Sequence, residues 1–230
     1  MKLYEYLGKE HANPKEIGIE IEMEGRALSL PPLNYWRQEH DGSLRGEGVE
    51  YVLKTPVARE RVGPRLKYLW KKFADMGSTL QPSDRCGVHI HINCQDMTFA
   101  ELFRFISLYL IFEQPLTRWC GDDREGNLFC LRASDAEFLV QTLVNARDKN
   151  FGHLFRNDRM RYSAMNLASL CKFGSLEFRS LRTPKDWEKI QRWVRLLLRI
   201  RDKALEAEDD KDFIEQLSMK GAEPFAREVM

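Results

Sequence analysis

Residues 17–24 read IGIEIEME, an alternation that indicates a β-strand and decides how the rest of the sequence is interpreted. Side chains two residues apart share one face of a strand. The apolar residues at odd positions are therefore expected to face a core, whereas Glu20 and Glu22 share the other face. A single strand of this kind most often presents its glutamates to solvent, so its meaning depends on whether other strands carry comparable pairs.

Two other strands carry ionisable residues at the same spacing. Residues 88–93 read VHIHIN and residues 175–181 read SLEFRSL, with apolar residues at alternate positions. Together the three strands supply three pairs: Glu20 and Glu22, His89 and His91, and Glu177 and Arg179. If the strands belong to one sheet, a single face carries three glutamates, two histidines and an arginine.

The remaining patterns predict a further short strand and several long helices. The strand is Val49–Leu53, and Thr98 with Glu101 forms a capping-box pattern at the start of one helix. The helices are expected at 57–76, 99–119, 134–149, 184–206 (beginning at Pro184) and 209–218. Strands separated by long helices, without a regular βαβ rhythm, indicate an α+β fold with a largely antiparallel sheet. We expect helices on one sheet face and a concave site on the other.

The chain is expected to consist of a catalytic domain at 1–183 and a C-terminal helical segment at 184–230 that packs on the same domain. The apolar stripe of this segment, which includes Trp193 and Leu197, could cover the core or contact another subunit. Core packing is the interpretation we favour, and the sequence does not define the oligomeric state.

Composition and charge exclude several classes of protein. The 230 residues are 43% hydrophobic and carry a net charge of +1, so no strong field favours general nucleic-acid or membrane binding. The most apolar stretch, residues 102–116, is too short and too charged for a membrane span. Five scattered cysteines and no apparent export signal favour reduced thiols and a cytoplasmic location.

The shared polar face suggests metal and phosphate chemistry. Several carboxylates on one face would repel one another, and bound cations relieve that repulsion. Oxygen-rich sites of this kind suit Mg²⁺ or Mn²⁺. Arg179, two residues from Glu177, would then neutralise a phosphoryl group during transfer. The pattern therefore favours phosphoryl transfer without a glycine-rich phosphate loop.

Two alternatives remain open from the residues. A metal-dependent phosphatase or nuclease could use the same glutamates and histidines. A non-enzymatic binding module could instead hold structural zinc, because Cys86, His89, His91 and Cys94 form a C-x2-H-x-H-x2-C pattern. Strand parity argues against zinc, since it sets both cysteines on the face opposite the histidines.

Five segments in a fixed order resemble the amidoligases, a phage and bacterial branch of the glutamine synthetase and glutamate–cysteine ligase fold. The resemblance covers residues 16–183, and the chain is much shorter than glutamine synthetase. The segments are GIEIE (18–22), HDGSL followed by GVEYV (40–44 and 48–52), CGVHIHI (86–92), RYSAMNL (161–167) and SLEFRSL (175–181).

The resemblance implies an ATP-dependent carboxylate–amine ligase that works through an acyl phosphate, on small-molecule or peptide carboxylates and amines. It implies one or two Mg²⁺ ions, or Mn²⁺, held by Glu20, Glu22, Glu50, His89 and Glu177. Glu177, Arg179 and His91 are the expected catalytic residues. Phosphate contacts are expected from Arg179, Arg161, His91 and Ser43. Asp41 and Ser43 fit a substrate contact or a plain turn equally well, and Tyr162 and Asn166 match the family pattern without an assigned role.

Overall fold

The computed structural model describes residues 1–13, 16–46, 48–81, 83–121, 124, 126, 130–133 and 162–220. For residues 217–220 it describes the backbone alone. Its strands are β1 (Ile17–Arg26), β2 (Trp36–Glu39), β3 (Val49–Leu53), β4 (Thr79–Gln81), β5 (Gly87–Asn93), β6 (Met165–Asn166) and β7 (Ser175–Arg182). Its helices are α1 (Leu3–Tyr6), α2 (Val62–Asp75), α3 (Phe99–Cys120), α4 (Ser169–Phe173), α5 (Trp187–Glu206) and α6 (Asp210–Lys220). A 3-10 turn at Arg59–Arg61 precedes α2.

The strands form one open antiparallel sheet in the order β2-β3-β1-β5-β7-β6, with β4 paired to the end of β1. The α+β class with an antiparallel sheet is therefore confirmed. Strands β1, β3, β5 and β7 lie where the alternation predicts them, whereas β2, β4 and β6 were missed. Each missed strand has four residues or fewer, which is too short for a periodic signal.

The apolar faces of the strands and the long helices bury one continuous core. The odd-numbered residues of β1 from Ile17 to Met23 are fully buried, as are the apolar residues of β5. The predicted capping box of α3 is confirmed, because Thr98 N donates to Glu101 Oε2 at 2.6 Å and Glu101 N donates to Thr98 Oγ1 at 3.3 Å. No helix in the described part of the chain is long and apolar enough to cross a membrane.

Helix α5 packs on this core with its apolar stripe, which includes the fully buried side chains of Trp193 and Leu197. This packing agrees with the interpretation we favoured, while the division into two segments at residue 183 stays a prediction. The helix begins at Trp187 and not at Pro184, because the Asp186 side chain accepts a hydrogen bond from Lys189 N at 3.2 Å and caps the helix. The helix predicted at 134–149 lies outside the described residues.

A network of four charged side chains ties the start of the sheet to α5. Glu16 Oε1 accepts from Arg59 Nη2 and from Arg201 Nη2, each at 2.9 Å. Both arginines also contact Asp202. The hydrogen bond from Arg59, joined by that from Arg201, lowers the pKa of Glu16 from its ordinary 4.5 to about 2, although partial burial opposes this shift. The ionised carboxylate is thus favoured in the folded chain.

Glu16→Gln should destabilise the fold at neutral pH but not in acid. Because the folded-state pKa is lowered, the carboxylate stabilises the fold above about pH 4.5, and this stabilisation is lost as the pH falls toward 2. We expect a loss of about 1 kcal/mol at pH 7, since solvent screens these partly exposed pairs. Urea unfolding at pH 7 and pH 2.5 measures it. Glu215→Gln, in an exposed pair with Lys211, is the control, and an equal deficit of Glu16→Gln at both pH values would contradict the prediction.

Candidate active site

The antiparallel register aligns the polar residues of neighbouring strands into three rows across the sheet. In the first row, Glu22 on β1 lies opposite Glu50 on β3, which lies opposite Glu39 on β2. In the second row, Glu20 lies opposite His89. In the third row, His91 on β5 lies opposite Glu177 on β7, and Glu177 lies opposite Asn166 on β6. The sheet thus brings the three predicted pairs and Glu50 onto one face.

His89 occupies the centre of this face and is 5% exposed. Its Nδ1 lies 3.2 Å from Glu20 Oε2 and 3.7 Å from Glu177 Oε1, and its Nε2 lies 3.6 Å from Glu22 Oε1. The neighbouring His91 Nε2 lies 3.4 Å from Glu20 Oε1. Buried charges require compensation by nearby groups of opposite charge, so the imidazoles and carboxylates form one coupled cluster.

Three groups of side chains in this cluster have a geometry that could hold a metal ion. Within each group, one ligand atom per residue lies within 4.8 Å of the others: Glu20, His91 and Glu177; Glu20, Glu50 and His89; and Glu22, Asp41 and Glu50. All five predicted metal ligands belong to these groups. His91 and Asp41 are additional members that the sequence had not assigned to a metal.

Cysteines do not take part in these groups among the described residues. Cys86 and Cys94 are buried, and Cys94 lies in the hydrophobic core on the side of the sheet away from the histidines. Cys94 therefore lies on the face that strand parity predicts for it. The zinc alternative built on these two cysteines is not supported by the geometry.

The surroundings shift the pKa values of the carboxylates on this face in different directions. Burial, together with repulsion from Glu20 and Glu22, raises the pKa of Glu50 to about 7. Burial also raises the pKa of Glu22. Burial opposes ionisation of Glu20 as well, but hydrogen bonds with His89 and His91 hold its pKa well below the ordinary value. A cation beside Glu50 would favour the ionised form of all three, and carboxylate oxygens with imidazole nitrogens suit Mg²⁺ or Mn²⁺.

Each oxygen of the Glu177 carboxylate accepts a hydrogen bond from a neighbouring side chain. Arg179 Nη1 donates to its Oε1 at 2.5 Å, and Asn166 Nδ2 donates to its Oε2 at 2.7 Å. Asn166 is itself oriented, because its Oδ1 accepts from Ala168 N at 2.9 Å. The Glu177 side chain is 6% exposed and therefore has little freedom to change position. Asn166 had no assigned role from sequence, since its position opposite Glu177 depends on a two-residue strand.

Two cavities open at opposite ends of the polar face. The larger, of about 280 Å³, is lined by Glu16, Glu20, Lys54, His91, Gln95 and Phe173 among others. The smaller, of about 130 Å³, is lined in part by Asp41, Ser43, Arg85, Arg124, Tyr162 and Arg179. The residues expected to contact phosphate are therefore divided: Ser43 and Arg179 share the smaller cavity, His91 lines the larger one, and Arg161 lies outside the described residues.

A family model matches most of the chain. Residues 32–201, about three quarters of the chain, match the model of a family described as "putative amidoligase enzyme". The chain belongs to this amidoligase family. Membership indicates an enzyme of the ligase type. A search of curated proteins found no match.

The family match and the site of this amidoligase differ in extent. The match begins after β1, which carries Glu20 and Glu22, and it continues into α5 as far as Arg201. The sheet nevertheless sets β1 between β3 and β5, where its two glutamates face Glu50 and His89. The match therefore includes the first three quarters of α5 but not the rest of the helical segment.

Asp41 of the amidoligase takes part in a turn and in the site at once. Its Oδ1 accepts from Ser43 N at 2.8 Å, as in an Asx turn. The same carboxylate lies in one metal-compatible group with Glu22 and Glu50. Partial burial opposes its ionisation, but the hydrogen bonds from Ser43 lower the pKa of Asp41. The turn is therefore present, while a substrate contact of Asp41 or Ser43 stays a prediction.

Sequence reasoning missed two arginines and a β-bulge. Arg85 and Arg124 line the smaller cavity, but neither belongs to an alternating or helical pattern in the sequence. The bulge lies in β7, where Arg179 and Ser180 together oppose His89. Ser180 is buried and bonds with Tyr109, whereas Arg179 Nη1 lies 3.4 Å from His89 Nδ1 on the polar face.

Proposed function

We propose that this amidoligase is an ATP- and Mg²⁺-dependent carboxylate–amine ligase that forms an amide bond through an acyl phosphate. One observation carries the proposal: a buried carboxylate–imidazole face lies next to a cavity lined by Arg85, Arg124 and Arg179. A metal-binding face beside guanidinium groups suits a polyphosphate, whose charge both can neutralise. Family membership supports the ligase reaction.

The donor set fits Mg²⁺, because each group consists of carboxylate oxygens with at most one imidazole nitrogen on a largely buried face. The residues proposed to hold one or two ions are Glu20, Glu22, Glu50, His89 and Glu177, and Asp41 joins them on geometric grounds. When bound, Mg²⁺ would neutralise phosphate oxygens and orient the phosphate chain. The raised pKa of Glu50, caused by burial and by neighbouring carboxylates, supports a cation at this point.

The proposed reaction has two steps. A substrate carboxylate oxygen attacks the γ-phosphorus of ATP, the bond to the bridging oxygen breaks, and ADP leaves. An amine nitrogen then attacks the carbonyl carbon of the acyl phosphate, inorganic phosphate leaves, and the nitrogen loses a proton. Arg179, oriented by Glu177, stabilises charge on the transferred phosphoryl group, which is commonly the largest catalytic contribution. His91 lines the larger cavity, which supports a role beside the carboxylate and amine.

The test is whether ADP release depends on both a carboxylic acid and an amine. The protein would be incubated with ATP, Mg²⁺ and a panel of amino acids and short peptides, with hydroxylamine as the nucleophile that traps an acyl phosphate as a hydroxamate. Acid-dependent ADP and hydroxamate are the expected products. A metal-dependent phosphatase or nuclease would instead release its product without ATP and form no hydroxamate, and that result would replace the ligase proposal.

Asn166→Ala should lower the affinity for Mg²⁺ by about tenfold to a hundredfold, because Glu177 would lose the donor that fixes one of its oxygens. Asn166 acts as a positioning residue, so metal affinity is the informative readout. Calorimetric titration with Mg²⁺ measures it. Ser169→Ala is a matched control, since it alters the same turn and leaves the Asn166–Glu177 bond in place. Equal losses in both variants would indicate a general structural effect and contradict the prediction.

The cytoplasmic location, the small-molecule or peptide substrates and the lack of general nucleic-acid binding all stay predictions. So does the assignment of Arg161 to a phosphate contact.

A further inference from the structure

The smaller cavity gathers three guanidinium groups on one side of the carboxylate face. We propose that Arg85 and Arg124 form, with Arg179, a binding site for the phosphate chain of the nucleotide. The carboxylate and the amine would then approach through the larger cavity at the opposite end. This inference rests on the proposed function, because it assigns the two ends of the site to different substrates.

Arg124 is the strongest evidence, because its buried guanidinium forms no ion pair with any other residue that the structure describes. It is 2% exposed. Its Nε donates to Ser180 O and its Nη2 donates to Arg179 O, each at 2.9 Å. In the described part of the chain both acceptors are neutral backbone carbonyls, and a guanidinium has five N–H donors. A buried charge is costly unless an ion of opposite sign accompanies it. An anion in the cavity would provide that compensation.

Gly87 allows Arg124 to approach the metal-compatible face. A Cβ at this position would lie 3.4 Å from Arg124 Nη2, 3.3 Å from Glu22 Oε2 and 3.5 Å from His89 Nε2. In addition, Gly87 N donates to Glu22 Oε2 at 2.7 Å. A side chain at residue 87 would therefore intrude between the guanidinium and the carboxylate. The glycine keeps open the space in which a cation-bound phosphate oxygen could meet both.

Arg85 contributes a second guanidinium from a different part of the chain. Its Nη1 donates to Ser43 O at 3.1 Å, which ties it to the loop that carries Asp41 and Ser43. Its side chain is exposed, and within the described residues it makes no ion pair. Arg85 and Arg124 thus reach the cavity from positions about 40 residues apart in the sequence. Two guanidinium groups that converge on one cavity suit the several oxygens of a phosphate chain.

Size and charge favour phosphate over the substrate carboxylate at this end. A cavity of about 130 Å³ is smaller than the pockets that usually enclose a nucleoside or a peptide. The carboxylates of Glu22, Asp41 and Glu50 adjoin it, so an anion there needs both the arginines and a cation. The larger cavity of about 280 Å³ combines apolar, amide and charged residues and offers room for an organic substrate.

Calorimetry with three probes tests this assignment. MgATP, sodium tripolyphosphate with Mg²⁺, and succinate would each be titrated into wild type, Arg85→Gln, Arg124→Gln and Arg37→Gln. Arg37 lines the larger cavity and is the matched control. We expect Arg85→Gln and Arg124→Gln each to weaken MgATP and tripolyphosphate binding by about tenfold to a hundredfold, the range for a charge-assisted hydrogen bond. Arg37→Gln should change the affinity for MgATP and the affinity for tripolyphosphate by less than about twofold. Arg85→Gln keeps the test valid if the buried Arg124 variant does not fold.

The outcomes separate this inference from the proposed function. If wild type binds MgATP but only Arg37→Gln weakens it, the phosphates lie elsewhere and the inference fails while the ligase proposal stands. If tripolyphosphate binds and requires Arg85 but MgATP does not bind, the anion site stands and the ATP-dependent function fails. If succinate alone binds with dependence on Arg85, the site takes a carboxylate and the assignment to phosphate is wrong. If no probe binds, both fail.

Discussion

Glu177→Gln is expected to lower the rate of amide formation by about a hundredfold or more while the protein stays folded. The substitution removes a carboxylate charge that Arg179 and Asn166 hold in place, at a point shared with His89 and His91. Removing one precisely oriented charged or hydrogen-bonding group from an active site commonly costs a few kcal/mol of transition-state stabilisation. The glutamine keeps the shape of the side chain but loses the attraction of His89 and Arg179, which lower the pKa of Glu177, so circular dichroism must show that the variant is folded. ADP release under saturating substrates measures the rate.

A control on the same face makes the result specific. Glu39→Gln changes an exposed glutamate on β2 that lies opposite Glu50, pairs with Arg37 and belongs to none of the metal-compatible groups. Its activity should remain within about twofold of wild type. Arg179→Ala should lose activity as Glu177→Gln does. Full activity in both site variants would show that the reaction takes place elsewhere.

Leu197→Ala should cost about 2–5 kcal/mol in the free energy of unfolding, the range for a large apolar side chain removed from a packed core. Leu197 on α5 is fully buried within the cluster that also contains the apolar residues of β1 and β5. The cost combines lost burial with the cavity left behind. Urea unfolding followed by circular dichroism measures it. A loss of this size would show that the C-terminal helical segment folds as one cooperative unit with the sheet.

Leu205→Ala is the matched control, because Leu205 lies on the same helix and is 37% exposed. Its effect should stay within about 0.5 kcal/mol. If Leu197→Ala instead melted α5 alone and left the sheet signal unchanged, the chain would consist of two independent units. The expectation of a single packed domain would then be wrong.

The parts of the fold and the site that could be predicted are those that depend on a pattern within a single strand or helix. The alternation in β1, β5 and β7 fixes which side chains share a face, because the geometry of a strand repeats every two residues. The pairs Glu20 and Glu22, His89 and His91, and Glu177 and Arg179 were therefore visible in the sequence. Their convergence was an assumption, since periodicity does not say which strands are neighbours. The register that sets His89 opposite Glu20 became evident only from the sheet.

The features of the site that could not be predicted from the sequence depend on contacts between distant residues. Asn166 meets Glu177 through a two-residue strand, and the bulge at Arg179 and Ser180 is defined only by the partner strand. The sequence around Arg124 has no periodic pattern, and the arginine is held beside the cavity by its hydrogen bonds to β7. The start of α5 shows competition between two local signals, in which the side-chain cap at Asp186 prevailed over Pro184.

The order of strands in the sheet has a consequence for how this protein emerges from the ribosome. The central strand β1 is made early, but its neighbour β5 follows about 70 residues later and β7 about 160 residues later. Until β7 leaves the exit tunnel, His91 has no Glu177 beside it and Arg124 has no β7 backbone to bind. Nascent chains that end before residue 182 therefore contain the acidic strand without the completed β7 that carries Arg179. We expect the ability to bind metal and phosphate to appear late and in one step, after most of the chain has been synthesised.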